Sequence, residues 1–219
     1  MKISKLAESL TYASPVILLI GICIGVYYYK YLQYIYRVLF FFLAVNLGID
    51  LLSRYLASMS HNNLFLFIVI SLVELVTFSF IYYHIIEKKK IIVLLTVIGL
   101  GYVLTETLST NFQNIFNFQS YSKVVSSFLV VLMVLIYFIE VLYREYKISI
   151  PLINLNLLIM AYFTLELILL LPLNFLINGN QESIYYIWLL RTLILLIFYI
   201  IMIHFLWNHG KNQKQLRCG

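Results

Sequence analysis

Apolar runs long enough to cross a bilayer recur seven times along this chain, and that repetition limits the fold more than any other feature. A hydrocarbon core takes roughly 20 helical residues to cross. The runs fall at about 10–29, 38–58, 64–86, 91–108, 123–143, 151–176 and 184–207, with ends good to ~2–4 residues. Lipid offers a backbone amide no hydrogen-bond partner, so a spanning segment must be a helix or part of a closed barrel. These runs are continuous rather than alternating, which selects helices. The expectation is an all-α membrane protein, a seven-transmembrane-helix bundle forming a single domain over residues 1–219. Composition agrees, since only 11% of residues are charged and 63% are hydrophobic; a soluble domain carries about 25% charge.

The breaks between runs are chemically distinct. Glu87 with Lys88, Lys89 and Lys90 parts the third and fourth spans, Pro151 opens the sixth, and Asn178, Gly179 and Asn180 part the sixth from the seventh. Val16–Val26 is followed by Tyr27–Lys30 rather than by a small-residue cleavage motif, so it is expected to stay as the first span. Lys30, Arg37, Lys88, Lys89, Lys90, Arg144, Lys147, Lys211, Lys214 and Arg217 share one face; Lys2, Lys5 and Lys123 are assigned to the other. Lys and Arg concentrate in cytoplasmic loops, which places the C-terminus in the cytoplasm and the N-terminus outside. The net charge of +6 is then topological and calls for no nucleic acid. Tyr27, Tyr28, Tyr29, Tyr31, Tyr34 and Tyr36 fit an inner interfacial belt. Cys23 and Cys218 are expected to be free thiols.

Ionisable residues inside the spans carry the functional expectation. On the second span Asn46, Asp50, Ser53 and Arg54 follow i, i+4, i+7, i+8 spacing and share one face. A charge at a helix centre costs roughly 2.5–3.5 kcal/mol on insertion, so that face should look into protein. Glu74 on the third span, Tyr102 and Glu106 on the fourth, Tyr162 and Glu166 on the sixth, and Trp188 and Arg191 on the seventh are candidate partners. The expected ligand site is Asn46, Asp50, Arg54, Glu74, Tyr102, Tyr162, Glu166, Trp188 and Arg191, largely in the outer half of the bilayer. Asp50, Glu74, Glu106 and Glu166 face only Arg54 and Arg191, so either some carboxylates are protonated or a cation joins them. Glu140 is set aside as an i, i+4 surface partner of Arg144. Pro172 should kink the sixth helix and free the Ile168 carbonyl. The uncharged 109–122 segment reads either as a lid or as an interfacial loop.

Several chemistries are set aside. His61, His84, His204 and His209 show no metal-ligand spacing, no phosphate loop or nucleophile elbow occurs, and no lysine is assigned to a span interior where a retinal Schiff base would need one. No cofactor or metal is expected, and an enzyme is the less favoured class. The loops and the tail after Trp207 are too short for a signalling domain, so any output is expected to pass to a separate partner, the tail resting on anionic headgroups.

The Asn62-Asn63 pair, Glu74, Tyr82-Tyr83 followed by lysines, Tyr121-Ser122, and Tyr137 to Glu140 together resemble a group of uncharacterised small seven-span membrane proteins of Bacteroidota. The resemblance covers most of the chain. It implies a bacterial inner-membrane setting and supplies no catalytic residues. The expected function is a receptor-like sensor that binds a small molecule or lipid and signals to a cytoplasmic or membrane partner. A proton- or cation-linked transporter or oligomeric channel is the alternative; a structural subunit whose ion pairs only lock the bundle is the third. The lipid bilayer and further copies of the chain complete the expected partners.

Overall fold

The computed structural model describes residues 10–59, 63, 65–109, 121–143, 150–176 and 181–218. Seven long helices follow one another: α1 (Ala13–Tyr28), α2 (Tyr34–Ser58), α3 (Leu66–Ile85), α4 (Lys89–Ser109), α5 (Tyr121–Tyr143), α6 (Ile150–Leu176) and α7 (Gln181–Cys218). Each holds a stretch long and apolar enough to cross a membrane, and no strand occurs among the described residues. The all-α, seven-helix expectation is met. The N-terminal lysines and the centre of the 109–122 segment lie outside the described residues, as do the Asn178–Asn180 turn, Arg144 and Lys147.

Consecutive helices are neighbours in space, and α7 closes back onto α1. α3 also packs on α5, and α2 on α7, so α2, α3, α5, α6 and α7 enclose the interior while α1 and α4 lie outside it. The middle of that interior is aromatic. Phe78 meets Phe42 at 5.4 Å and Phe163 at 4.9 Å edge-on, and Tyr162 stacks on Phe198 with ring centroids 3.9 Å apart. Glycine allows the tightest approaches: Gly25 of α1 lies under the Phe40 ring, and Gly99 of α4 lies against Leu75 and Leu129.

Deeper toward the lysine-rich end, the Tyr82 hydroxyl donates to Asn156 Oδ1 at 2.7 Å, and the Asn156 amide donates to the Leu152 carbonyl at 2.8 Å. Tyr82→Phe should cost about 1–3 kcal/mol, because the Asn156 oxygen is left buried without a donor. Thermal unfolding in detergent measures it, and an unchanged midpoint would show that the bond contributes nothing.

Carboxylates stand at both ends of the peripheral helix α4. Glu140 of α5 accepts the backbone N–H groups of Glu87 (3.0 Å) and Lys88 (3.2 Å) just ahead of α4. Glu106, near the end of α4, lies against the Tyr121 and Ser122 amides and the Ser122 hydroxyl at the head of α5. The first amides of a helix have no partner within it and carry a partial positive charge, which a carboxylate satisfies. Glu140 is thus a cap for the α3–α4 turn, a role its spacing to Arg144 did not reveal.

α7 departs most from expectation. Its 38 residues span about 57 Å at 1.5 Å per residue, against a hydrocarbon core of ~30 Å. The residues after Trp207 continue the helix and pack on protein. His209 stacks on Tyr36 at 3.7 Å, Gly210 touches Tyr28, and the Lys214 ammonium donates to the Tyr27 hydroxyl at 3.0 Å. The backbone N–H of Gln33, which precedes α2, donates to His209 Nε2 at 3.3 Å. Part of the tyrosine belt is therefore a clamp on α7: Tyr36 is buried, while Tyr27 and Tyr34 are exposed.

Candidate functional site

A cavity of about 640 Å³ opens at the end of the bundle where α1 and α3 begin and α2 finishes. It runs from Ser58 and Asn63 at the mouth down to Asn46 and Tyr199, roughly 18 Å along α2. That size suits a small organic molecule. The helical spacing on α2 accounts for one wall: Asn46, Asp50, Ser53 and Arg54 all line it, as their shared face requires. α7 supplies the facing wall through Trp188, Arg191 and Thr192, and α3 contributes Leu66, Phe67 and Ile70.

The two guanidinium groups at the cavity are anchored differently. Arg54 pairs with Asp50 at 3.2 Å within its own helix, donates to the Thr11 carbonyl, and lies over the Tyr12 ring. Both members of that pair remain about a quarter exposed, which limits the pair to roughly 0–1 kcal/mol. Arg191 instead sends Nε (3.0 Å) and Nη2 (2.8 Å) to a single oxygen of the fully buried Glu166, and its planar group rests on Phe67 and Trp188. Ring faces attract a guanidinium, so both aromatic residues hold it in place.

Behind Arg191 a chain of charges crosses the bundle. The Lys123 ammonium donates to Glu74 and lies 3.6 Å from Glu166, and all three side chains are essentially inaccessible. Glu74 comes from α3, Lys123 from α5, Glu166 from α6 and Arg191 from α7, so one ion-pair network joins four helices. Its charges cancel: two carboxylates face one ammonium and one guanidinium. Glu166 Oε2 has no hydrogen-bond partner among the described residues.

Lys123 corrects the sequence reading. It was assigned to the outer surface because it stands in the first turn of its span, yet it is 1% exposed. Its stem carries the ammonium inward to the carboxylates instead of outward to headgroups. One cation absent from the charge count is therefore Lys123 itself, a lysine inside the bundle. A signal was present: Lys123, Ser126 and Ser127 follow i, i+3, i+4 spacing, and all three are buried on the face of α5 turned to the core.

The nine residues expected at the site are only partly gathered. Asn46, Asp50, Arg54, Trp188 and Arg191 line the cavity. Glu74 and Glu166 lie behind its wall and reach it through Arg191. Tyr162 is buried beneath, stacked on Phe198. Tyr102 is not brought to the cluster: it stands on the peripheral α4, over a third exposed. Sequence reasoning overlooked Tyr199, whose hydroxyl donates to Asn46 Oδ1 at 3.1 Å at the cavity floor, and the Thr11–Tyr12 segment that covers Arg54.

The described residues thus define a bundle of seven helices with membrane-spanning length and composition, holding an open cavity of mixed polar and apolar lining over a buried ion-pair network. Comparison with family models, curated proteins and solved structures finds no match for this chain.

Proposed function

We propose that this protein is a receptor-like sensor: a small ligand enters the cavity and alters the packing of α7, and a separate partner reads that change at the lysine-rich end. The observation that carries this reading is the double attachment of Arg191. One side of it faces the cavity, and the other holds Glu166, which adjoins Lys123 and through it Glu74. A ligand that competes for Arg191 loosens α7 from α6 directly. α7 is also the helix that continues past the spanning length and stacks His209 on Tyr36 at the far end. A rigid helix of that kind carries a displacement of about 1–2 Å from one end to the other.

We take the lysine-rich end as cytoplasmic by the positive-inside rule, and the setting as a bacterial inner membrane on the resemblance to small seven-span proteins of Bacteroidota. Lys123 leaves the outer tally, which makes the lysine asymmetry larger. A transporter needs a route through the bundle, and the packed rings of Phe42, Phe78, Phe163 and Phe198 close the floor beneath the network.

The test uses spin labels on Lys90→Cys and Leu216→Cys, at the starts of α4 and the end of α7, with Cys23→Ser and Cys218→Ser. Paired Arg191→Gln and Glu166→Gln substitutions imitate release of α7 without orphaning a charge. A new inter-label distance is expected, with no proton flux in proteoliposomes. An unaltered distance distribution refutes the sensor reading, and proton flux that disappears in Glu74→Gln replaces it with transport.

A further inference from the structure

The charges around the cavity identify the class of ligand, an inference that rests on the sensor reading. Among the described residues, the groups at the wall that are charged near neutral pH are Asp50, Arg54 and Arg191. The first two cancel. Glu166, which balances Arg191, is wholly buried and does not line the cavity. Arg191 is therefore the one charge at the wall whose counter-ion, in direct contact with it, lies on the protein side and not in the cavity.

The donors point the same way. Arg191 spends Nε and Nη2 on Glu166, and Arg54 spends Nε and Nη2 on Asp50 and the Thr11 carbonyl. Neither Nη1 donates within the described residues, although both side chains border the cavity. Guanidinium groups match carboxylate and phosphate oxygens in geometry as well as charge. The remaining wall is mixed: Ile49, Ile70, Leu195 and the Trp188 ring give it apolar stretches among polar groups such as Asn46, Ser53 and Thr192.

We infer that the cavity takes a small monoanionic amphiphile, an organic acid whose carboxylate sits at Arg191 and whose apolar body lies against Trp188 and Ile70. Free aromatic acids and fatty acids share this chemistry. The ligand's carboxylate competes with Glu166 for the same guanidinium.

The experiment places one thiol in the cavity, Thr192→Cys with Cys23→Ser and Cys218→Ser, and compares modification by methanethiosulfonates carrying a sulfonate or a trimethylammonium group. Rates are normalised to those with a free small thiol. The guanidinium lies nearer the cavity than its Glu166 counter-ion, so the sulfonate reagent should react faster than the cationic one, by less than the roughly 7-fold that an isolated unit charge about 7 Å away gives in water. The preference should fall toward parity in Arg191→Gln/Glu166→Gln, which removes the wall charge while the Lys123–Glu74 pair stays intact. It should persist in Asp50→Asn/Arg54→Gln, which leaves the net charge unaltered.

Millimolar benzoate or dodecanoate should slow the reaction, and benzamide should not; whichever acid protects assigns the source as a free acid or a fatty chain. Equal or reversed reagent preference, a preference untouched by Arg191→Gln/Glu166→Gln, or protection by benzamide equal to that by the acids overturns the anion assignment while leaving the open cavity standing. Failure of both reagents to react shows a closed cavity, and then the sensor reading falls with it.

Discussion

Replacing Lys123 with Met should lower the unfolding free energy by about 3–5 kcal/mol, the loss seen when one partner of a buried ion pair is removed. Glu74 and Glu166 would then share one guanidinium, and Glu74 would lose the ammonium it touches. Neither carboxylate has water to turn to, since both are nearly inaccessible. The second half of the experiment separates charge from packing. Lys123→Met combined with Glu74→Leu removes the pair and leaves Glu166 with Arg191, so most of the loss should be recovered. Reversible unfolding in mixed micelles, followed as a double-mutant cycle, gives the coupling. A cost below about 1 kcal/mol for the single variant, or a double variant no better than the single, would show that the network does not hold the bundle together.

Opposite signs are expected from substitutions at two glycines of neighbouring helices. A Cβ at Gly25 would stand 2.1 Å from Phe40 Cδ2 and 2.7 Å from Cε2 of the same ring. Phe40 is itself nearly buried, with Tyr29 edge-on at 5.7 Å, so the ring has little room to retreat. Gly25→Leu should destabilise by about 1–3 kcal/mol or more through overpacking. Helix propensity alone would favour the change by about 1 kcal/mol, so steric conflict has to win by a clear margin. At Gly48 of α2 a Cβ meets nothing within 4 Å. Gly48→Ala should therefore gain the propensity term, up to about 1 kcal/mol. Equal responses at the two sites would disprove the close seat of α1 on α2.

What decides these outcomes was unequally visible in the amino-acid order. The spacing Asn46, Asp50, Ser53, Arg54 made one cavity wall legible, because helical periodicity is a local property. The Glu166–Arg191 pair was within reach too, since a guanidinium and a carboxylate in lipid must find each other or another partner. Lys123 was misplaced because position near a span end indicates depth only if the side chain turns outward. Tyr102 was grouped with the site on depth alone, but depth does not say which helix lies at the centre. α4 proved peripheral, and its Glu106 lies beside the head of α5 and away from the cavity.

Seven apolar runs, each about the thickness of a bilayer, determined by themselves that the chain is a helical bundle and where nearly every helix begins and ends. The order of packing, the cavity, and the choice of Lys123 as counter-ion were decided only by the tertiary structure. The physical reason is that hydrogen bonding along a helix involves residues four apart, whereas ion pairs such as Lys123 with Glu74 join residues 49 apart. Their meeting depends on which helices become neighbours, and apolar surfaces of similar composition do not specify that residue by residue.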